Sequence, residues 1–393
     1  MVTGWGPKKI LMLGWELPPH NSGGLGVACY NMCQSLAKCH NLEIEFVVPY
    51  KLSEQPEFMT VHSVTDLPAP DVQHGAYNSQ SPEVHAQQTA YVAFVEKLVS
   101  RNDYDAVHAH DWLTFRAGLR AKALTGKPLI AHVHATEFDR AGAHRGNQLV
   151  HEVEQQALLL ADAIVAVSTF TKDIIMREYG IPASKIQVVH NAINPADYAA
   201  VSLQNDYRYL EEMKAMGYKV VVSLGRLSLQ KGIPHLLRAA KLALQKQPKL
   251  LFLIVGDGEM RSEVIETAAN LGITKNVIFT GFLRGKQWRD SYTIADMFVM
   301  PSVSEPFGLS ALEAAGAGTA VLLSKQSGVS EVLRHTMQFD FWDITKLASQ
   351  IVAIANYPVL HAELAQNVQN EARDLTWDNT VAKFQNLYAG VNA

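Results

Sequence analysis

Apolar residues along the chain alternate between two rhythms. Short runs such as KKILMLGW, EIEFVVPY, YDAVHAHD, PLIAHVH, ADAIVAVS and KIQVVHNAI have the length and β-branched content of buried strands. Between several of them lie helical spacings, in CYNMCQSLAKC, LTFRAGLRAKAL and TKDIIMREYG. The alternation restarts after residue 215 with KVVVSLGR, LLRAAKLALQK, KLLFLIVGDG, NVIFTGF, MFVMP, SALEAAGA and TAVLLS, and ends in a helical tail. Strands that alternate with helices build parallel sheets with crossover helices. The expected fold class is therefore α/β, with two Rossmann-like, doubly wound domains facing one another across a cleft. Residues 192–218 lack strand periodicity and carry Pro195, so they read as a hinge with one helix. That places an N-terminal domain at 1–191, a C-terminal domain at 219–375 and a last helix at 376–393.

Composition narrows the function classes. The chain has 393 residues, enough for two to three domains at about 150 residues each. With 48% apolar and 18% charged residues and a formal charge of −4, it is neither disordered nor built to neutralise a nucleic acid duplex. No apolar run approaches the roughly 18 residues of a spanning helix, and the N-terminal stretch has no signal cleavage site. Cys29, Cys33 and Cys39 form no CxxC pair and read as reduced thiols, with Cys29 and Cys33 on one buried helix face. A cytoplasmic location is expected.

In doubly wound sheets ligands sit beyond the C-terminal strand ends, and three clusters fall there. In GWELPPHNSGGLG, about eight residues separate the first strand from Gly23, Gly24 and Gly26, and GxGxxG is absent, which argues against a dinucleotide fold. Gly23 and Gly24 make a bare turn that opens a helix at Leu25, where backbone N–H groups can meet an anion; a plain tight turn explains them too. Glu16 in the same loop is a weaker candidate. In SLGRLSLQKG, Arg226 and Lys231 follow a strand end and suit a diphosphate, although surface bases look alike in sequence. In SEPFGLSALEAAGAG, Pro306 keeps Glu305 extended ahead of a helix whose first N–H groups come from Gly308, Leu309 and Ser310. Glu313 lies eight residues after Glu305, so one carboxylate can face a sugar and the other a distant diol.

Other groupings carry less. Asp103, Tyr104 and Asp105 spell DxD, the cation-holding pattern of some sugar transferases, but they precede a strand and read as a solvated turn. His108 with His110, and His132 with His134, each share a strand face at metal-like spacing. No acidic or thiol ligand is grouped with them in the sequence, so no metal site is assigned. His134 ends its strand before the polar loop ATEFDR and is expected to face the cleft. His110, Asp111 and Trp112 end another strand and are weak candidates for holding an acceptor.

Together WELPPHNSGGLG, HAHDW, HVHATEFDR, VHNAIN, LGRLSLQKG, VGDGEM and EPFGLSALEA resemble, in order and over nearly the whole chain, the retaining GT-B glycosyltransferases of family four, related to bacterial glycogen and starch synthases. The resemblance implies a nucleotide-sugar donor domain at 219–375, an acceptor-side domain at 1–191, and a last helix that opens near Trp377 and crosses back to the latter. It implies that Gly23, Gly24 and Leu25 approach the donor phosphates and that Arg226 and Lys231 bind the diphosphate. Glu305 would hold the transferred sugar, Glu313 the ribose hydroxyls, and His134 a sugar hydroxyl near the reacting carbon. Some positions depart from the pattern: Ser327 precedes Gly328 where a second glycine is common, Ala320 replaces a proline, and HTMQFDFWDI lacks the usual turn and short apolar strand.

The expected reaction is metal-independent and needs no cofactor: hexosyl transfer, with a glucosyl group favoured, from an ADP-, UDP- or GDP-linked donor to a saccharide acceptor, with retention. Leaving-group charge would be met by Arg226, Lys231 and the helix start at Gly308. Transfer of mannose or GlcNAc to a small or lipid-linked acceptor, a sugar-nucleotide epimerase or hydrolase, and a noncatalytic sugar-nucleotide sensor are the alternatives. The stretch from Tyr50 to Gln88, irregular and Pro-rich, is where acceptor choice is expected to lie.

Overall fold

A computed structural model describes residues 8–21, 23–39, 41–69, 81–144, 146–198 and 207–391. The N-terminal MVTGWGP, Ser22 of the first glycine loop, residues 70–80 of the expected acceptor stretch and 199–206 of the expected hinge lie outside the described residues. The chain forms two compact units, Met1–Asn191 with Trp377–Ala393, and Ala192–Thr376.

The first unit is built on a parallel sheet of seven strands: β1 (Lys8–Leu13), β2 (Leu42–Val48), β3 (Thr60–Ser63), β4 (Ala106–His110), β5 (Leu129–Val133), β6 (Ala163–Ala166) and β7 (Ile186–Val188). Their order is β3-β2-β1-β4-β5-β6-β7, and Ile10 of β1 registers with Ile44 on one side and Ala106 on the other. Buried strands of a covered parallel sheet read as near-continuous apolar runs, and Leu11, Leu13, Val107, Ala109, Leu129, Ala131 and Ile164 all join one core. The helix Trp377–Gly390 belongs to this unit: it packs on the helix Gly24–Leu36, and Lys38 Nζ donates to Asp378 Oδ1 at 2.7 Å.

Two elements of this unit escape the sequence reading. The stretch taken as irregular contains β3 and the start of a helix, Pro82–Val99. In that helix Val84, Gln88, Tyr91, Val95 and Val99 are buried at three- and four-residue spacing, a helical signal that its Pro-rich approach obscured. The DxD turn also differs from expectation. Tyr104 is buried and its hydroxyl donates to Glu45 Oε2 at 2.5 Å, while Asp105 Oδ2 accepts from Lys9 N at 2.7 Å. Tyr104 and Asp105 anchor the entry to β4, while Asp103 is exposed as a solvated turn would have it.

The second unit holds a six-stranded parallel sheet of β8 (Lys219–Leu224), β9 (Leu250–Val255), β10 (Val277–Gly281), β11 (Met297–Met300), β12 (Ala320–Ser324) and β13 (Met337–Phe339), in the order β10-β9-β8-β11-β12-β13. β13 lies in HTMQFDFWDI, so that segment does supply a short edge strand, with Phe339 buried and Leu322 registered on Met337. Residues set apart as hinge contribute here: Ile193 bridges Thr376 and the helix Arg208–Ala215 packs on β8.

Backbone bonds tie the loops leaving β8, β9 and β10 to one another. Gly225 N donates to Val255 O at 3.0 Å, Leu227 N to Asp257 O at 2.9 Å, and Gly256 N to Gly281 O at 2.9 Å. Gly256 has φ +136°, and a Cβ there would lie 2.0 Å from Gly225 O. Gly281 has φ +74° with open space around it. Gly256→Ala is therefore expected to destabilise the chain by ~3 kcal/mol or more, because strain and backbone clash add. Gly281→Ala should cost only ~1–2 kcal/mol from its left-handed φ. Urea unfolding of both variants checks this, and a smaller loss for Gly256→Ala would contradict the loop packing.

Candidate functional site

Strand order places the candidate residues. In each sheet the winding reverses between two neighbours, β1 with β4 and β8 with β11, and such reversals leave a crevice at the carboxyl ends where ligands bind. The loop after β1 carries Glu16 and Gly23 and runs into the helix start at Gly24 and Leu25, and the exit of β4 carries His110, Asp111 and Trp112. The loop after β8 carries Arg226 and Lys231, and the loop after β11 carries Glu305 and Gly308.

Within the second unit these last two loops converge. Lys231 ends a single 3-10 turn, and its Nζ lies 2.6 Å from Glu305 Oε2. Ser302 Oγ donates to the same carboxylate oxygen at 3.1 Å, a partner the sequence reading missed. Glu305 is also pinned by its backbone: its N–H donates to Gln326 O at 2.8 Å and its carbonyl accepts from Gly328 N at 2.9 Å. Ser327 thus stands on a short bridge to Glu305, where the family pattern has glycine. Gln230 Nε2 donates to Ser304 O at 2.9 Å and Val303 N to Gln230 O at 2.8 Å, which locks the β8 and β11 loops together. Gly232, with φ +63°, sets its backbone against Pro301, where a Cβ would meet the carbonyl at 2.2 Å.

The helix Leu309–Gly316 starts directly after this ion pair, behind Gly308 at φ +109°. A Cβ on Gly308 would sit 2.6 Å from Met300 Cε, so glycine lets the helix start close over the end of β11. No side chain caps this start, and Leu309 and Ser310 are partly accessible. Arg226 is exposed on the neighbouring loop. Lys231 and a helix N-terminus come together where the β8 and β11 loops meet, with Arg226 on the β8 loop, a setting suited to an anion.

Glu313 lies one turn deeper and is buried. Tyr198 Oη donates to its Oε1 at 2.9 Å and Tyr292 Oη to its Oε2 at 2.7 Å; Trp288 Nε1 donates to Tyr292 Oη at 3.0 Å. Burial pushes the Glu313 carboxyl up to about 7, against these tyrosine hydrogen bonds, which favour the ionised form. Tyrosine at 198 and 292 carried no sequence signal, since neither sits in a motif. Glu305 and Glu313 keep separate partners, unlike the paired carboxyls of a glycosidase.

In the first unit, Gly23 in extended conformation precedes the helix Gly24–Leu36, which also starts without a side-chain cap. Gly26 lets this helix approach Glu16, whose Cβ would lie 3.1 Å from an added Cβ. Glu16 is buried there rather than presented to solvent. His134 is half-buried at the end of β5, and its loop is held from below. Asp111, at φ +58°, accepts from His134 N at 2.7 Å and Ala135 N at 3.3 Å through Oδ1. Arg140 donates to Ala135 O at 3.0 Å and pairs with Glu137 and Glu154.

The residues at the β4 exit that were expected to hold an acceptor are enclosed. Trp112 and His110 are fully buried, Trp112 within the core of the unit, and Asp111 faces the His134 backbone. Asp111 and His110 touch His134, while Trp112 packs inward into the core. His110 Nδ1 and His134 Nε2 share a hydrogen bond of 3.0 Å, and His108 Nε2 and His132 Nδ1 one of 3.2 Å. Burial holds all four imidazoles below their ordinary range, hence neutral. Cys29, from the helix Gly24–Leu36, brings a thiol to this group, which the linear sequence concealed.

Residues 22–197 match the family Glycosyltransferase Family 4 and residues 211–374 match Glycosyl transferases group 1. The chain is 28% identical to a D-inositol 3-phosphate glycosyltransferase of Salinispora tropica over 418 residues, covering 97% of this chain and 85% of that protein. It is 25% identical to a glycogen synthase of Mycobacterium tuberculosis over 409 residues, covering 97% and 94%. A solved structure of Anabaena HepE in complex with UDP and glucose shares the fold, with TM-score 0.75 and 19% identity, covering 98% of this chain and 100% of that one. Among the described residues no helix is long and apolar enough to cross a membrane. With one of these two glycosyltransferase domains over each half, the chain belongs to the GT-B glycosyltransferases of group 1 and family 4.

Proposed function

We propose that the protein transfers a hexosyl group, with glucosyl favoured, from a nucleoside-diphosphate sugar to a saccharide acceptor, with retention and without a catalytic metal. The observation that carries this reading is the Lys231–Glu305 pair at 2.6 Å beside the uncapped helix start at Gly308. The ammonium has three donors and gives one to Glu305, which leaves others for a diphosphate. Arg226 and the N–H groups of Leu309 and Ser310 add to the same positive setting. Charge developing on the departing diphosphate is met by groups fixed before reaction, the arrangement that lowers such barriers most. Glu305, held by Ser302 and its own backbone, presents its second oxygen to hydroxyls of the transferred sugar. In the first unit, the resemblance assigns His134 to a sugar hydroxyl and Gly23–Leu25 to the donor phosphates.

The relatives support glucosyl transfer through the glycogen synthase and the UDP and glucose of HepE. The D-inositol 3-phosphate glycosyltransferase favours a second reading, transfer to a small polyol phosphate. Thermal shifts with ADP, UDP and GDP and their sugars would choose the donor, since ligand binding raises stability with the logarithm of ligand excess. The anomeric proton signal of the product would report retention.

Lys231→Ala and Glu305→Gln are each expected to lower kcat/KM by about 100- to 1000-fold while far-UV dichroism stays native, the loss typical of removing one transition-state contact. Wild-type turnover in either variant would overturn the assignment. Glu313, proposed for the ribose hydroxyls, gives a pH signature. Its carboxyl binds a proton more tightly folded than unfolded, so the stability it contributes is full below its ordinary value of 4.5 and is lost as pH rises through about 7. Glu313→Gln cannot ionise and should escape that decline, gaining on wild type by roughly 3 kcal/mol from its ordinary range to above neutrality. Denaturant midpoints across pH read this out; a pH-independent difference would show that Glu313 is not titrating.

A further inference from the structure

We propose that Cys29, His110 and His134 bind a single zinc ion in the first unit. One ligand atom from each residue lies within 4.8 Å of the others. A tetrahedral zinc with ordinary Zn–N and Zn–S bonds sets its ligand atoms roughly 3.3–3.8 Å apart, so modest side-chain shifts close the site. His110 and His134 already face each other at 3.0 Å, and zinc entering between them moves the proton they share to the remote nitrogen of the ring that bears it, so both imidazoles stay neutral. His110 is fully buried and its Nε2 has no hydrogen-bond partner, so that nitrogen is free to take the proton.

A second trio, His108, His110 and His132, is equally compact, but the ligand chemistry favours the first. All three of its members are neutral and fully buried, so a dication there would keep its full charge in an apolar setting. At the first trio Cys29 loses its thiol proton to solvent as the S–Zn bond forms and zinc sheds hydration water. The carboxylates of Glu16 and Asp111 lie close enough to act electrostatically on Cys29 and offset the remaining charge. His134 is the one half-buried member and gives the ion its way in, with water completing the fourth position. Zinc bound here occupies the imidazole that the proposed function aims at the donor sugar; that consequence alone rests on the glycosyl-transfer reading, and it is inhibition.

Cobalt(II) is the probe, since thiolate coordination gives a near-ultraviolet charge-transfer band. Titrating the chelator-stripped full chain should raise that band to saturation at one equivalent, and added zinc should displace it. The band should vanish in Cys29→Ala and in Cys29→Val, which fills the buried volume without a ligand, and persist in Cys33→Ala and Cys39→Ala. No band in the folded wild type, or a band surviving both Cys29 variants, overturns the site. Zinc should also slow transfer by the wild type, with about tenfold more needed for Cys29→Ala. A cobalt band in a protein that transfers no sugar would count against the proposed function and leave the metal site standing.

Discussion

Parallel strands that wind outward in both directions from the middle of a sheet impose the arrangement on which the rest depends. Where winding reverses, the two helices leaving adjacent strands go to opposite faces, and the strand ends between them stay open. In the second unit that opening lies between β8 and β11, so residues some 74 positions apart, Lys231 and Glu305, meet without any special motif to join them. The glycines then act locally. Gly232, Gly256 and Gly308 each let one backbone or side chain approach where a methyl would collide. Main-chain and side-chain hydrogen bonds between the loops hold them together there.

Burial divides the charged groups into accessible and enclosed ones. Lys231 and Arg226 keep access to solvent, whereas Glu154, Glu313 and Asp111 are enclosed. Asp111 spends its carboxylate on two backbone N–H groups and accepts an unfavourable φ of +58° to do so. Strain of this kind persists where the surroundings over-determine it; here the result is a fixed turn under His134. The Arg140, Glu137 and Glu154 group holds the other end of the same turn. His134 is therefore oriented from both sides before any ligand arrives.

Much of this was legible in the sequence. The strand runs KVVVSLGR and KLLFLIVGDG, being buried on both faces, have an apolar continuity that no exposed element shares, and β8 and β9 lie inside them. Strand ends followed by Arg226, Lys231 and the EPFGLS turn likewise gave the candidate loops of the second unit. What stayed hidden has physical reasons. Tyr198 and Tyr292 reach Glu313 from separate elements, and side-chain partners across elements leave no local pattern. Trp112 looked available because it ends a motif, yet an aromatic beside a strand end packs inward as readily as outward. Cys29 looked inert as one of two helix-face thiols, and only the fold brings it to His110 of β4 and to His134 after β5. Helix Pro82–Val99 carried a clear period, but proline and polar residues nearby masked its start.

The helix Trp377–Gly390 gives the chain an unusual order of assembly. The first unit is left at Asn191, and the polypeptide returns to it only after the whole of Ala192–Thr376. Tyr388, fully buried, then sets its hydroxyl 2.8 Å from His108 Nδ1, and Phe384 packs on the rings of His108 and His132. During synthesis from the N-terminus, the histidine ladder therefore stays uncovered while nearly half the chain is still being made, although domains commonly complete themselves in the order they emerge. The half translated first is the half finished last.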